Sequence, residues 1–170
     1  MAKIKRTDAP IDLIDLQDTS NSQIKKILHL NNQFAKECSK LDIERLEFMI
    51  SEAFAAIAIS PDIAFFLAYD ENSKYDGVHF TYLKEKFDNF IYLDRIIVKK
   101  SEHGMGIGTS LYECLFELAE EAGVQSILCE VNVEPPNDIS HEFHLALGFE
   151  EIEDRQISEG KIVRYYKYEL

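Results

Sequence analysis

The chain has 170 residues, of which 46% are hydrophobic and 29% charged, with eleven Phe, eight Tyr and no Trp. This is the length of one domain, spanning 1–170, and the composition of a packed protein rather than a disordered one. A formal net charge of −13 argues against a nucleic-acid partner, which needs clustered Lys and Arg; it reads first as a solubilising surface and is compatible with a cationic substrate.

Cys38, Cys114 and Cys129 are too few and too scattered for a disulfide framework or a zinc site, so no metal is expected. Cys114 and Cys129 stand among apolar residues and read as small core side chains. The basic start, MAKIKRTDAP, leads into no apolar segment of signal-peptide type, and no run is long enough for a bilayer. The expectation is a cytoplasmic protein with no membrane partner.

Ile11–Leu16 has strand content. Ile24, Ile27, Leu28 and Phe34 recur at helical spacing and predict a helix over 22–36. Asp42 is placed to cap a second helix carrying Ile43, Leu46, Met49 (or Ile50) and Ala53 on one face. Two apolar runs, 54–60 and 63–69, flank Pro61-Asp62 and predict a buried hairpin. Residues 70–88 hold Tyr75, His79, Tyr82 and Phe87 among charges; this reads as a long irregular loop, either functional or a surface excursion that tucks its aromatics down. Residues 89–100 predict a strand with Tyr92, Asp94, Ile96 and Val98 on one face and Leu93, Arg95 and Ile97 on the other.

A loop with Gly104, Gly106 and Gly108 follows, then a helix whose buried stripe is expected at Leu111, Leu115, Leu118 and Ala122, ended by Gly123. Residues 124–133 predict a strand, stopped by Pro135-Pro136. Asn137 or Asp138 begins a short helix with Ile139, Phe143 and Leu147 in register, closed by Gly148. Residues 149–157 and 161–170 predict a terminal hairpin turning at Glu159-Gly160.

The alternate glycines between strand and helix mark an anion site: glycine permits unusual backbone angles and close approach, and the N–H groups of a helix start face a phosphate. A phosphate-loop of the G-x-x-x-x-G-K-[ST] type is excluded, because no Lys follows Gly108. A dinucleotide loop needs G-x-G-x-x-G, whereas Thr109 stands three after Gly106; Glu130 is placed for a ribose, but five residues separate Val98 from the first glycine. A dinucleotide-binding oxidoreductase is the weaker alternative.

Residues 98–111, VKKSEHGMGIGTSL, resemble the acetyl-CoA loop of the GNAT acetyltransferase superfamily, R/Q-x-x-G-x-G/A after a strand. His103 stands at the R/Q position, and Gly106 and Gly108 at the small ones. A second segment resembles N-x-x-A-x-x-x-Y-x-x-x-G-F, with Asn137, Ser140 at the Ala position, His144 at the Tyr position, and Gly148-Phe149. The order of elements is similar along nearly the whole chain, and the combination resembles a prokaryotic branch of that superfamily.

The resemblance implies an α/β fold of α+β type: a mixed, mostly antiparallel sheet of six to seven strands with about four helices. It implies an acetyl-CoA-dependent N-acetyltransferase acting on a small-molecule or peptide amine by direct attack on the thioester; the alternative on the same fold is a non-catalytic acyl-CoA sensor. The expected CoA contacts are Ile96, Ile97, Val98, His103, Gly104, Met105, Gly106, Ile107, Gly108 and Thr109, with Asn137, Ser140 and Phe143. Strands 89–100 and 124–133 are expected to splay around the pantetheine arm. An amine of lysine-like pKa is only about one part in a thousand neutral near pH 7, so a base is useful. Asp94 and Glu130, with Tyr92 beside them, are the candidates; their bland readings are an ion pair and a solvent-facing strand residue. His144 is the candidate acid for the departing thiolate, or a helix residue packed beside Phe143; His141 reads as helix surface. Tyr75 and Tyr82 are expected to line the acceptor pocket, and the terminal strand with Tyr165, Tyr166 and Tyr168 offers an edge for a homodimer.

Overall fold

Eight strands share one sheet in a computed structural model that describes residues 3–5 and 10–170, with side chains from residue 12. Most of the basic opening stretch, residues 1–2 and 6–9, lies outside the described residues. In chain order the elements are β1 (Lys3–Lys5), β2 (Pro10–Asp15), α1 (Asn21–Gln33), α2 (Ile43–Ser51), β3 (Ala55–Ile59), β4 (Ala64–Asp70), α3 (Val78–Lys84), β5 (Phe90–Val98), α4 (Ile107–Glu121), β6 (Ser126–Glu134), α5 (Asp138–Leu147), β7 (Glu150–Ser158) and β8 (Lys161–Glu169). The mixed, mostly antiparallel sheet is as expected, enlarged by β1 and by one further helix.

The spatial order is β1-β2-β3-β4-β5-β6-β8-β7, and every pair is antiparallel except β5–β6. A single parallel pair is not the open parallel sheet that a dinucleotide fold requires. Helices α1, α2 and α3 cover one face, where Ile24, Ile27, Leu46, Met49, Phe80 and Leu83 meet Phe65, Leu67, Tyr69 and Tyr92. Helix α4 covers the other, with Leu111, Tyr112 and Leu115 on Phe66, Ile91, Leu93 and Ile127. Strands β3 and β4 are buried on both faces, which is why their sequences read as continuous apolar runs rather than alternations.

Local signals hold in several places. The Asp42 carboxylate accepts from the Arg45 N–H at 2.8 Å and starts α2. Gly123 and Gly148 close α4 and α5 at φ +71° and +97°. Helix α1 stops at Gln33, three residues before the expected end.

Four expectations are corrected. Residues 70–88 are not an irregular loop throughout: α3 lies within them, its two buried residues, Phe80 and Leu83, being too few to announce a helical period. Ala122 is exposed, because it is already the C-cap of α4. On α5 Ile139 is 76% exposed and His144 is buried in its place. On β5 the strict alternation fails. Arg95 pairs with Leu67 and Leu93 with Ala68, so Asp94 is an extra residue in a bulge. Beyond it the faces exchange: Ile97 joins the core under α1 and α2, while Ile96 and Val98 pack toward α4.

The terminal hairpin folds back so that β8 lies between β6 and β7. Tyr165 and Tyr166 are fully buried. The edge expected at 165–168 is therefore interior, and the exposed edge on that side is β7.

Candidate active site

Strands β5 and β6 pair only from Phe90–Ser126 to Tyr92–Leu128 and then separate. The divergence starts one step after Tyr92, next to the Asp94 bulge. Between the strands runs a cleft of about 1090 Å³. One end is the glycine loop and the start of α4. The other is bounded by the α1–α2 connection, Tyr75, His79, Ile157 and Lys161. The α1–α2 connection is tied across the opening: Asn132 of β6 donates to Glu37 O at 3.1 Å, and Arg95 of β5 to Ser39 Oγ at 3.3 Å.

At the glycine-loop end Gly104 and Gly106 both have φ +77°, and a Cβ on either would meet nothing within 4 Å. The conformation thus requires glycine for its angles and leaves open space beside the backbone. Gly106 caps α4, whose first-turn N–H groups have no carbonyl partner within the helix. Gly108 is needed for a different reason: a Cβ there would stand 3.1 Å from Phe143 Cζ. A cradle of this kind fits a pyrophosphate. Ile96, Ile97, Val98, Ile107, Thr109, Asn137, Ser140 and Phe143 all line the same cleft. Met105 stands exposed on the loop outside that lining. His103 turns back on its own strand, its Nε2 donating to Val98 O at 2.8 Å. That shapes the loop from within.

The carboxylates behave differently from one another. Asp94 accepts from Arg95 Nε at 2.6 Å with one oxygen and from Tyr75 OH at 2.6 Å with the other. Arg95 is buried and also holds Asn31 Oδ1 at 2.7 Å. Asp94 is thus the anionic half of a buried ion pair, with both oxygens engaged. Glu130 accepts only from Tyr92 OH, at 3.1 Å through Oε1; its Oε2 is buried with no hydrogen-bond partner among the described residues. Burial first, and then the charge of Asp94, push the Glu130 carboxyl up to about 8; Tyr92, Arg95 and Lys161 act in the opposite direction. Glu130 combines an uncommitted oxygen with a proton affinity in the working range of a general base.

Tyr92 bridges the two carboxylates, 3.4 Å from Asp94 Oδ1. Burial lifts its phenol well above the ordinary range, so it stays a neutral donor. Tyr75 stacks on Tyr69 with ring centroids 4.0 Å apart and lines the cleft. Tyr82 does not reach that lining: it stacks on Tyr165 and donates to Glu153 at 2.8 Å.

His144 lines the cleft on α5, but both ring nitrogens are engaged. Nδ1 lies 2.7 Å from Ser140 O, which can only accept, so Nδ1 carries the proton; Nε2 accepts from Tyr112 OH at 2.6 Å. Burial lowers its pKa to about 4. A neutral ring without a spare N–H has nothing to give a departing thiolate. Through these two bonds His144 ties α4 to α5. His141 is likewise no surface residue: it donates to Asn132 O at 3.0 Å and accepts from Tyr166 OH at 2.6 Å.

Arg95, Asn132, His79 and Lys161 also line the cleft, none of them expected there as a site residue. A polar or charged residue in an apolar strand was the available signal for the first two. His79 and Lys161 carry none, since a helix and a hairpin remote in sequence bring them to the cleft.

Among the described residues no group of His, Cys, Asp and Glu is arranged to hold a metal ion, and no helix is long and apolar enough to cross a membrane.

A family model described as "Acetyltransferase (GNAT) family" matches residues 29–149. No curated protein matches the chain in sequence. Among solved structures, the Escherichia coli ribosomal-protein-S18-alanine N-acetyltransferase is similar with a TM-score of 0.66 at 16% identity, over 93% of this chain and 92% of that one. The Brucella melitensis ribosomal-protein-alanine N-acetyltransferase gives 0.67 at 17%, over 94% and 100%. An aminoglycoside 6'-N-acetyltransferase complexed with coenzyme A gives 0.68 at 14%, over 93% and 96%. At these identities the likeness is one of fold.

Proposed function

The chain belongs to the GNAT acetyltransferase family, and from that membership we propose that it moves an acetyl group from acetyl-CoA to the amine of a small-molecule or peptide acceptor within the β5–β6 cleft. One observation carries the reading: a single cleft joins a glycine cradle at a helix start to a buried carboxylate with an uncommitted oxygen. CoA supplies the acyl thioester. The N–H groups of residues 106–109 would hold its pyrophosphate, and the cleft-lining backbone at Ile96–Val98 would face the pantetheine arm. Solved structures of like fold carry names for both acceptor kinds, ribosomal-protein alanine and aminoglycoside.

Glu130, on the cleft wall, takes the proton of the acceptor ammonium, while Tyr92 fixes its Oε1. Asp94, held by Arg95, raises the proton affinity of Glu130. The free amine then attacks the thioester carbonyl; the nitrogen–carbon bond forms as the carbon–sulfur bond breaks, the sulfur leaves with that bond's electron pair, and the second proton lost by the nitrogen ends on it as the CoA thiol. Direct attack is favoured over an acyl-enzyme because the cleft cysteines are poor nucleophiles. Burial pushes the Cys38 thiol up to about 12 and that of Cys129 well above its usual range.

The engagement of both His144 nitrogens favours a second reading, an acyl-CoA-binding module without turnover. The separating experiment mixes the protein with acetyl-CoA and a panel of small and peptidyl amines and follows thiol release. Amine-dependent thiol supports transfer; saturable acetyl-CoA binding with no thiol supports the module.

A further inference from the structure

Converting an ammonium and a thioester into an amide and a thiol releases one proton per turnover. If Glu130 accepts the ammonium proton, it must pass that proton on before the next cycle. Glu130 is nearly enclosed, with 14% of its side chain exposed, and the Tyr92 hydroxyl that donates to it is a neutral phenol that holds no additional proton. Asp94 is bound to Arg95. The remaining neighbour able to accept a proton is His79 of α3, whose Nε2 stands 3.9 Å from Glu130 Oε1. That gap is one that closes on side-chain rotation or admits a bridging water; catalytic hydrogen bonds are often long before substrate binds.

The other side of the ring is built to suit. His79 Nδ1 lies 2.8 Å from Tyr165 OH, which accepts or donates and so serves either tautomer. When Nδ1–H donates to Tyr165, Nε2 presents its lone pair to Glu130. His79 lines the cleft beside Glu130 and is exposed to the same 14%, so its ring offers the proton a second opening onto the cleft. Around His79 stand Asp94 on β5, Glu130 on β6, Arg155 on β7, and Lys161 and Tyr165 on β8; around Glu130 stand Tyr92, Asp94, Arg95, Lys161 and His79. Burial, reinforced by Lys161 and Arg155 against the pull of Asp94, lowers the His79 pKa to about 4. The ring therefore rests neutral and free to accept.

We propose that His79 is a positioning residue of this site, taking the acceptor's proton from Glu130 at Nε2 and delivering it to solvent. The inference rests on the acetyl-transfer reading. The transfer balances: the Glu130 O–H bond breaks, the His79 N–H bond forms, and the imidazolium loses its proton to water. Its low proton affinity makes the imidazolium transient, as a relay requires.

The test has two arms. Histidine-labelled protein is titrated by 15N NMR through the ionisation of Glu130, with the His79 signals assigned by their loss in His79→Gln. A His79 Nε2 shift that follows the Glu130 titration, and vanishes in Glu130→Gln, is expected; a shift flat through that range overturns the proposal. In the second arm, thiol release is measured with the panel amine turned over fastest. His79→Gln should lower kcat about tenfold or more with KM for acetyl-CoA unchanged, and added imidazole should restore the rate in proportion to its concentration. Unchanged kcat, or a loss that imidazole does not repair, overturns the relay. If the wild type releases no thiol with any amine, the acetyl-transfer reading falls, while the NMR arm still decides whether the two groups are linked.

Discussion

Glu130→Gln should move stability and activity in opposite directions. The Glu130 carboxyl has an ordinary value of 4.5 and is raised to about 8 in the fold. The folded state therefore binds this proton more tightly than the unfolded chain. Its stabilising contribution is fully present below pH 4.5, falls as pH rises, and is lost above about 8. At about 1.4 kcal/mol per unit, the shift corresponds to an upper bound of about 5 kcal/mol of destabilisation in alkali. Gln keeps the shape without the buried charge but needs partners for its amide, so about 2–4 kcal/mol should be regained near pH 9. For a domain of this length that is a rise in Tm of roughly 5–15 °C, and the gain should disappear in acid. Activity should show the reverse. At pH 7 a base of pKa about 8 is about one-tenth ionised, so wild-type kcat/KM for the amine should climb about tenfold toward pH 9. The variant should lose that limb and about 10²-fold or more in rate. Melting curves and thiol-release profiles over the same pH series check both halves. A variant less stable than wild type in alkali, or one that keeps the rising limb, would refute the reasoning.

Gly108→Val should leave the melting temperature within a few degrees yet weaken acetyl-CoA binding by about tenfold or more, because the new side chain meets Phe143 at the cradle; isothermal titration reads it. Gly106→Ala should cost about 1–2 kcal/mol from the left-handed backbone alone, seen as a shift in denaturant midpoint. His144→Phe should destabilise by about 1–3 kcal/mol through the orphaned Tyr112 hydroxyl, while the pH profile of turnover keeps its shape. The lowered His144 pKa makes its contribution to stability present above pH 6.5 and lost as pH falls toward 4, so that acid sensitivity should diminish in the variant. Asp94→Asn should be far costlier, about 3–5 kcal/mol, since it leaves the Arg95 guanidinium buried without its counter-charge; chemical denaturation measures it.

The donor half of the cleft was legible because its chemistry is written in backbone terms. Glycines at 104, 106 and 108 between an apolar strand and an amphipathic helix state where the chain must bend and what may approach it. The Asn137 and Gly148-Phe149 segment extended that signal because a cap and a C′ glycine sit at fixed local spacing. The acceptor half was not legible. Its residues come from α3, β6 and the β7–β8 hairpin, and no local period announces that His79 will face Glu130 across 3.9 Å. The same limit explains Tyr82, which turns to Glu153 and Tyr165, and the terminal strand, whose aromatic content marks burial between β6 and β7 rather than an edge.

The Asp94 bulge shows how one extra residue produces both the cleft and its chemistry. Without it β5 would keep a strict alternation, and Asp94 and Arg95 would point to opposite faces. The bulge lets both serve the face under α1 and α2, so Arg95 reaches Asp94, Asn31 and Ser39 together. That pairing holds the Asp94 carboxylate near Glu130, where its charge opposes the ionisation of Glu130. Bulges also bend and twist the strand that carries them, and β5 leaves its partner β6 immediately before this one. The opening between β5 and β6 and the charge that raises the Glu130 proton affinity therefore have a common origin. Deleting Asp94 and restoring an unbroken β5 ladder should close the cleft and lower the Glu130 proton affinity at once. Loss of acetyl-CoA binding together with a flattened alkaline stability loss would be the measured signature.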